Sequence, residues 1–341
     1  MNNTNQYCKK LNIPICNLNI VSTFVPICLE DALATLFEYK GIKYKSIFAF
    51  SWDFIFAIDW IKTEKLGEAF LVDYFKKKIF TYLRKIYNID IHLKKFENRK
   101  EEYKQYLLEQ IAQDNPVLVQ ADSYYLEWST FYHKQHAEHI LLLIGIDEND
   151  YYIIDAIDSN EVLKIEKEYF HNISKYIFEY DLSNVSSEEL ISIWSDDFYQ
   201  ELGLRENICP DIAFDNILEF AEYFEMHFSH EIEFEGADLD SLYDSVFMNA
   251  MRHLVAARNL FLVWLESEYA EKQNEIIKEI IEKIRTAIRK WITVQNILYK
   301  SAITNWKGNY KEKIIKNVIA IERIEREAYQ LLERVGRGIN T

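Results

Sequence analysis

The stretch Val25-Pro26-Ile27-Cys28-Leu29-Glu30-Asp31-Ala32 decides how the rest of the chain is read. After it, Leu29, Leu33, Leu36, Phe37 and Tyr39 follow a helical period and Gly41 supplies a stop, so a helix is predicted over 28–40. Pro26 has no backbone donor to lose and suits the entry to a helix. Cys28 then falls in or just before the first turn, where unpaired amides and the helix dipole favour a thiolate. It is either a nucleophile or, like most free cysteines, a small apolar core residue.

Working outward, residues 1–27 read as a loop with short extended pieces. Helices are predicted from Gly67 to Tyr87 and from Arg99 to Gln113, with an alternating strand over Ile89–Leu93 between them. Short apolar β runs follow at 116–122, 139–146 and 151–155. Asp147-Glu148-Asn149-Asp150 is the turn of a hairpin between the last two, and 161–165 and 176–180 add further strands. This makes residues 1–184 an α+β domain. From Ser186 the β signals vanish, and helices are predicted at 187–202, 211–229, 239–269, 271–304 and 310–335. Residues 185–341 therefore read as an α-helical bundle domain, with core rows Leu254, Phe261, Trp264 and Leu265, and Ile276, Ile280, Ile284 and Ile288. Arg252, His253 and Arg258 share one of these helices; Arg252 either turns inward to meet a carboxylate or a phosphopantetheine phosphate or, as the plainer expectation, faces solvent.

The 341 residues are 49% hydrophobic and 28% charged, an ordinary globular balance. A net charge of −16 argues against nucleic acid as a partner. Between Leu71 and Gln110, ten basic residues stand against six acidic ones. A solvated helix face is the plain reading, and a docking surface for an acidic carrier protein the sharper one. The cysteines at 8, 16, 28 and 209 form no CxxC pair. The N-terminus is polar without a signal pattern, and no apolar run would span a bilayer, so a cytoplasmic protein with reduced thiols and no membrane partner is expected. Cys8, Cys16 and Cys209 are read as structural.

One set of residues has catalytic logic. Cys28 starts the first long helix, His139 opens a central strand and Asp155 ends its hairpin partner. A thiol needs a neighbouring base to become a nucleophile, and a carboxylate on the imidazole's other nitrogen fixes tautomer and orientation. From spacing alone, a core cysteine, a strand-end histidine and a turn aspartate are an equally open reading. His133, His136 and His139 invite a metal site, but three residues along a strand point opposite ways, so no metal is expected. His136 reads as a substrate-orienting pocket residue and His133 as a loop residue. Asp122, Tyr124 and Tyr125 are either a pocket wall or ordinary sheet-edge packing, and Trp52 and Asp53 are further pocket candidates.

Several of these segments together resemble a known family. They are Cys28 to Ala32 with Gly41, Asp122 to Leu126, His136 to Ile140, Gly145-Ile146-Asp147 and Ile154-Asp155. The order resembles the papain-like fold of bacteriocin-leader peptidases, and more narrowly the N-terminal domain family of butirosin biosynthesis protein H, over roughly residues 20–185. Members include acyltransferases of natural-product pathways, and a related type joins amides in polythioamide (closthioamide) assembly. The resemblance implies a papain-like domain followed by the helical bundle. It implies a Cys28–His139–Asp155 triad that takes an acyl group from an acyl or peptidyl carrier protein's thioester and passes it to a small amine, without ATP. No cofactor is implied, because phosphopantetheine arrives on the carrier. The glutamine that papain-like proteases carry before the nucleophile is missing, so Ser22 and Thr23 become the oxyanion candidates, beside the Cys28 backbone amide. A cysteine peptidase or amidase of the same fold is the alternative, and a non-catalytic carrier-binding module the second.

Overall fold

The structure, a computed structural model, describes residues 8–18, 27–52, 54–70, 79–84, 87–96, 99–185, 210–236, 241–242, 245–269 and 274–338. Ser22, Thr23, Asp53, Cys209 and the helix expected at 187–202 lie outside them. The contacts divide the chain into two compact units. The first holds the described residues of 8–44 and 83–185, the second those of 45–82 and from 210 onward.

The first unit is mixed α+β. Its strands are β1 (Lys9–Lys10), β2 (Ile91–Lys95), β3 (Val117–Asp122), β4 (Glu138–Ile146), β5 (Asp150–Ile154), β6 (Leu163–Glu166) and β7 (Ser174–Tyr180). They form one antiparallel seven-stranded sheet in the order β2-β7-β3-β4-β5-β6, with β1 on the far end of β4. Gly145 in β4 permits that last pairing, since a Cβ there would meet the Lys9 carbonyl oxygen at 2.8 Å. The β4–β5 register is pinned by its turn. Asp147 Oδ1 accepts the amides of Asn149 (3.0 Å) and Asp150 (2.8 Å), and Oδ2 accepts the Tyr152 hydroxyl (2.9 Å).

Three helices complete this unit: α1 (Cys28–Tyr39), α2 (Lys100–Ala112) and α3 (Lys167–Ile173). α1 packs on β4 and is buried from Leu29 to Phe37. Leu33, Leu36 and Phe37 are fully enclosed; each such side chain contributes about 1.5–3 kcal/mol of transfer free energy. Gly41 ends α1 at φ +68°, its amide bonded to Glu38 O (3.1 Å) while the Ile42 amide bonds to Phe37 O (2.9 Å). That paired closure of the last carbonyls is why glycine terminates the helix there.

The second unit is helical, with α4 (Pro210–His227), α5 (His230–Glu233), α6 (Val246–Tyr269), α7 (Glu275–Ile303) and α8 (Tyr310–Gly338). The segment from 45 to 82 clusters here rather than with the sheet, because its aromatic rings pack here. Phe54 stacks on Trp291 at 5.7 Å, and Phe56 and Phe70 meet Phe220 at 5.5 and 5.2 Å. The helix expected from Gly67 does not begin there. Leu66–Ala69 is a 3₁₀ turn, and a Cβ on Gly67 would lie 2.5 Å from the Phe247 amide. The α7 core row is shifted by one at its start: Ile277, not Ile276, is buried, while Ile280, Ile284 and Ile288 hold. Arg252 is not at the surface as expected but buried, at 7% exposure, and Arg258 on the same helix is buried at 1%. Among the described residues no helix is long and apolar enough to cross a membrane.

Candidate active site

His139 is the second residue of β4, opposite Ala121 of β3, and Asp155 directly follows β5. The register pairs Leu142 with Ile154, so the two side chains sit on a diagonal within reach of each other. His139 Nε2 lies 2.7 Å from Asp155 Oδ2, and both side chains are buried. The second nitrogen of His139 is left for Cys28 at the head of α1, which is within hydrogen-bonding reach of the imidazole and half-buried. Burial alone would lower the affinity of His139 for a proton. The Asp155 charge and hydrogen bond, then those of Cys28, outweigh it and hold the imidazole well above its ordinary value. The structure thus brings the three residues together.

Asp155 has a second donor that the sequence reading passed over. Trp128 Nε1 donates to the same oxygen at 2.8 Å. The stretch Asp122-Ser123-Tyr124-Tyr125-Leu126-Glu127-Trp128 reads equally as pocket wall or sheet-edge packing, and nothing in that pattern marks an indole for a carboxylate.

Two more carboxylates stand near. Asp158 lies within 4.8 Å of His139 and Asp155, measured between possible ligand atoms. It is partly exposed, with a hydrogen bond from Ser129. Burial first, then the Asp155 charge, pushes it up to about 6 against the pull of His139 and Ser129. Asp31, one helical turn beyond Cys28, is 2% exposed. Its Oδ1 accepts the Leu18 amide at 2.9 Å, and its Oδ2 is buried without a partner. Burial, opposed by that amide and reinforced by Asp155, raises it to about 7. The three-residue spacing from Cys28 and from Asp155 is the signal that could have found Asp31 and Asp158.

The remaining candidates fall elsewhere. Asp122 and Glu138 are cross-strand partners one step from Ala121 and His139, so strand alternation sets Asp122 on the opposite face from the imidazole. Its Oδ1 caps the Tyr124 amide (3.1 Å) and its Oδ2 holds His136 Nδ1 (2.8 Å). His136 stacks on Tyr124 at 4.2 Å, and His133 continues the ring stack from Tyr124 to Tyr132. Tyr125 is exposed, and its carbonyl accepts the Tyr169 hydroxyl at 2.7 Å. Trp52 belongs to the second unit, where it donates to Glu325 Oε2 at 2.9 Å. His139, Asp155 and Asp158 are the metal-compatible grouping among the described residues, but His139 already spends its nitrogens on Asp155 and Cys28.

Fold and site define a mixed α+β protein with a thiol, an imidazole and a carboxylate gathered at the ends of two interior strands of an antiparallel sheet. Residues 27–156 match the family model described as "Butirosin biosynthesis protein H, N-terminal". Cys28, His139 and Asp155 all fall within the matched span, and Asp158 just beyond it. A comparison with curated proteins finds no match.

Proposed function

We propose that the chain is a cysteine-dependent acyltransferase of natural-product biosynthesis, forming an amide from a carrier-bound acyl thioester and an amine. The family's name, that of a biosynthesis protein, supports the pathway class. The observation that carries the chemistry is the imidazole of His139, engaged by Asp155 on one side and by Cys28 on the other. Cys28 Sγ attacks the thioester carbonyl with its proton passed to His139. The tetrahedral oxyanion forms against the Cys28 backbone amide at the head of α1, and Ser22 and Thr23 remain candidate donors. His139 returns the proton to the departing carrier thiol. The amine then attacks the Cys28 acyl group, and the thioester supplies the driving force without ATP.

The carrier, acyl or peptidyl, brings its own phosphopantetheine arm, and the enzyme needs no cofactor in this scheme. A docking role for the basic 71–110 region is weakened by local ion pairs. Lys94 pairs with Glu179 at 2.5 Å, Lys104 with Glu168 at 2.9 Å, and Arg84 and Lys100 with Asp90 and Glu168. A cytoplasmic location goes with a carrier-fed reaction. We read the first unit as papain-like.

The test is an N-acetylcysteamine acyl thioester offered with and without a primary amine. The wild-type chain should gain one acyl mass at Cys28 and release amide when amine is present. Cys28→Ala should show no adduct and at least a 10³-fold loss of turnover, about 4 kcal/mol or more. Free acid alone, unchanged by amine, would point to the amidase reading. Full pathway activity in Cys28→Ala would leave only the binding module.

A further inference from the structure

The triad alone leaves one proton unaccounted for. An aliphatic amine reaches the enzyme as an ammonium ion, which has no lone pair. It must lose one proton before it attacks and a second as the C–N bond forms. Once the carrier thiol has left with its proton, His139 is neutral and can take one of these, not both. Resting on the acyltransfer reading above, we propose that Asp158 binds the acceptor ammonium and takes its first proton.

Several observations lead to this residue. Asp155 is 2% exposed and its Oδ2 is shared between His139 and Trp128, so it has no room for a substrate. Asp158 reaches solvent, yet its carboxylate lies within 4.8 Å of the imidazole. Ser129, itself 7% exposed, holds it by a hydrogen bond. The charges that act on Asp158 are those of Asp155 and His139, with no lysine or arginine among them. Asp31, from the α1 side, adds a third carboxyl that faces the Asp155 charge and has a buried, unpartnered oxygen. Asp155 and Asp158 stand close to the imidazole and Asp31 lies near enough to feel the Asp155 charge, so the acids outnumber the one histidine and leave room for a second positive charge. An ammonium ion supplies it, and each carboxylate–ammonium contact is stronger in so enclosed a place than in water.

The step balances. R–NH3+ gives a proton to the Asp158 carboxylate, leaving R–NH2 and a neutral carboxylic acid. The amine nitrogen forms the C–N bond to the Cys28 acyl carbon and loses its second proton to His139. The C–S bond breaks, and His139 returns that proton to the Cys28 thiolate. Asp158 releases its own to solvent. Because Asp158 is held at about 6, it is ionised at neutral pH and a better proton acceptor than an ordinary carboxylate.

The test uses Asp158→Asn in the full chain, with a hexanoyl N-acetylcysteamine thioester and two nucleophiles at pH 7. Butylamine is an ammonium ion there, whereas hydroxylamine is already mostly neutral. Acylation of Cys28, read by intact mass, should stay within about twofold of wild type. Release by butylamine should fall roughly 100-fold, the usual scale of a lost general base. Release by hydroxylamine should change by less than about threefold. The butylamine defect should shrink as the pH rises toward that amine's own titration. Asp158→Glu should recover a good part of the butylamine rate, and it serves as the informative variant if the asparagine form melts early. Equal losses with both nucleophiles, or none with butylamine, would overturn the assignment while leaving the acyltransfer reading intact. A wild-type chain that never acylates at Cys28 would instead remove that reading, and this assignment with it.

Discussion

Each unit buries one carboxylate beside aromatic nitrogen, and the two are treated oppositely. In the second unit Glu325 is 1% exposed and fully satisfied. Arg258 Nε and NH2 donate to its two oxygens at 3.0 Å each, Trp52 Nε1 adds a bond at 2.9 Å and Trp291 Nε1 one at 3.2 Å. In the first unit Asp155 has two donors on one oxygen and two other carboxyls nearby, one of them with an orphaned oxygen. A fully satisfied buried network fixes one geometry. A partly satisfied one keeps protons loosely assigned, which is what acid–base chemistry uses. The first unit carries polar groups that could react, and the second carries polar groups that hold helices.

The largest way to break the comparison is Glu325→Ala. It removes the acceptor that the Arg258 guanidinium and two indole N–H groups share. The expected cost is about 3–5 kcal/mol, the usual scale for splitting a buried pair. Chemical denaturation followed by tryptophan fluorescence should report it, since Trp52 and Trp291 touch the lost group. A loss under about 1 kcal/mol would mean that the network is dispensable and the contrast false.

Trp128→Phe sharpens the other side. The ring stays and the N–H bond to Asp155 goes. One hydrogen bond to a charged acceptor is worth about 1.5–3 kcal/mol. If most of it serves to orient the carboxylate, kcat for acyl transfer should fall about tenfold or more with KM little changed. An equal rise in KM would place Trp128 in substrate binding instead.

How far the sequence foretold this depends on the kind of signal. The continuous apolar runs at 117–122 and 138–146, and the Asp147 turn, are local, and they alone place His139 and Asp155 on neighbouring strand ends. The Gly41 stop is equally local. What failed needs distant partners. Arg258 looks like any helix-surface arginine until Glu325, far along the chain, is brought to it. Gly67 looks like a helix start until the Phe247 backbone closes on it. Residues 45–82 read as part of the sheet half because nothing near them announces the helical partners of Phe54 and Phe56. Asp31 and Asp158 sat at visible spacings, but an aspartate in a first helical turn or after a strand is ordinarily a cap or a turn residue.

The smallest expected effect probes whether the first unit really is under-satisfied. Asp31 keeps its proton up to about 7 in the folded chain, against an ordinary value of 3.8. Between those values the folded state binds the extra proton, so stability falls as pH rises through that window and levels off above it. His139 acts in the same direction but in a higher window, because its raised value means stability held at low pH and lost as pH climbs through that value. Asp158 and Glu233, at about 6 and about 7, add slopes of the same sign in the lower window. Only a difference between variant and wild type isolates Asp31. Asp31→Asn can still accept the Leu18 amide, and it carries no charge at any pH. Relative to wild type it should gain about 1–2 kcal/mol at pH 8, since the penalty for a buried unpaired carboxylate is gone. At pH 4 the gain should vanish or reverse, because the neutral acid is then the wild-type form. Matched denaturation curves at the two pH values measure this. If variant and wild type keep the same gap at both, folding leaves the Asp31 carboxyl unshifted, and if the variant instead loses stability at pH 8, Asp31 is ionised and partnered and the two buried carboxylate networks are alike after all.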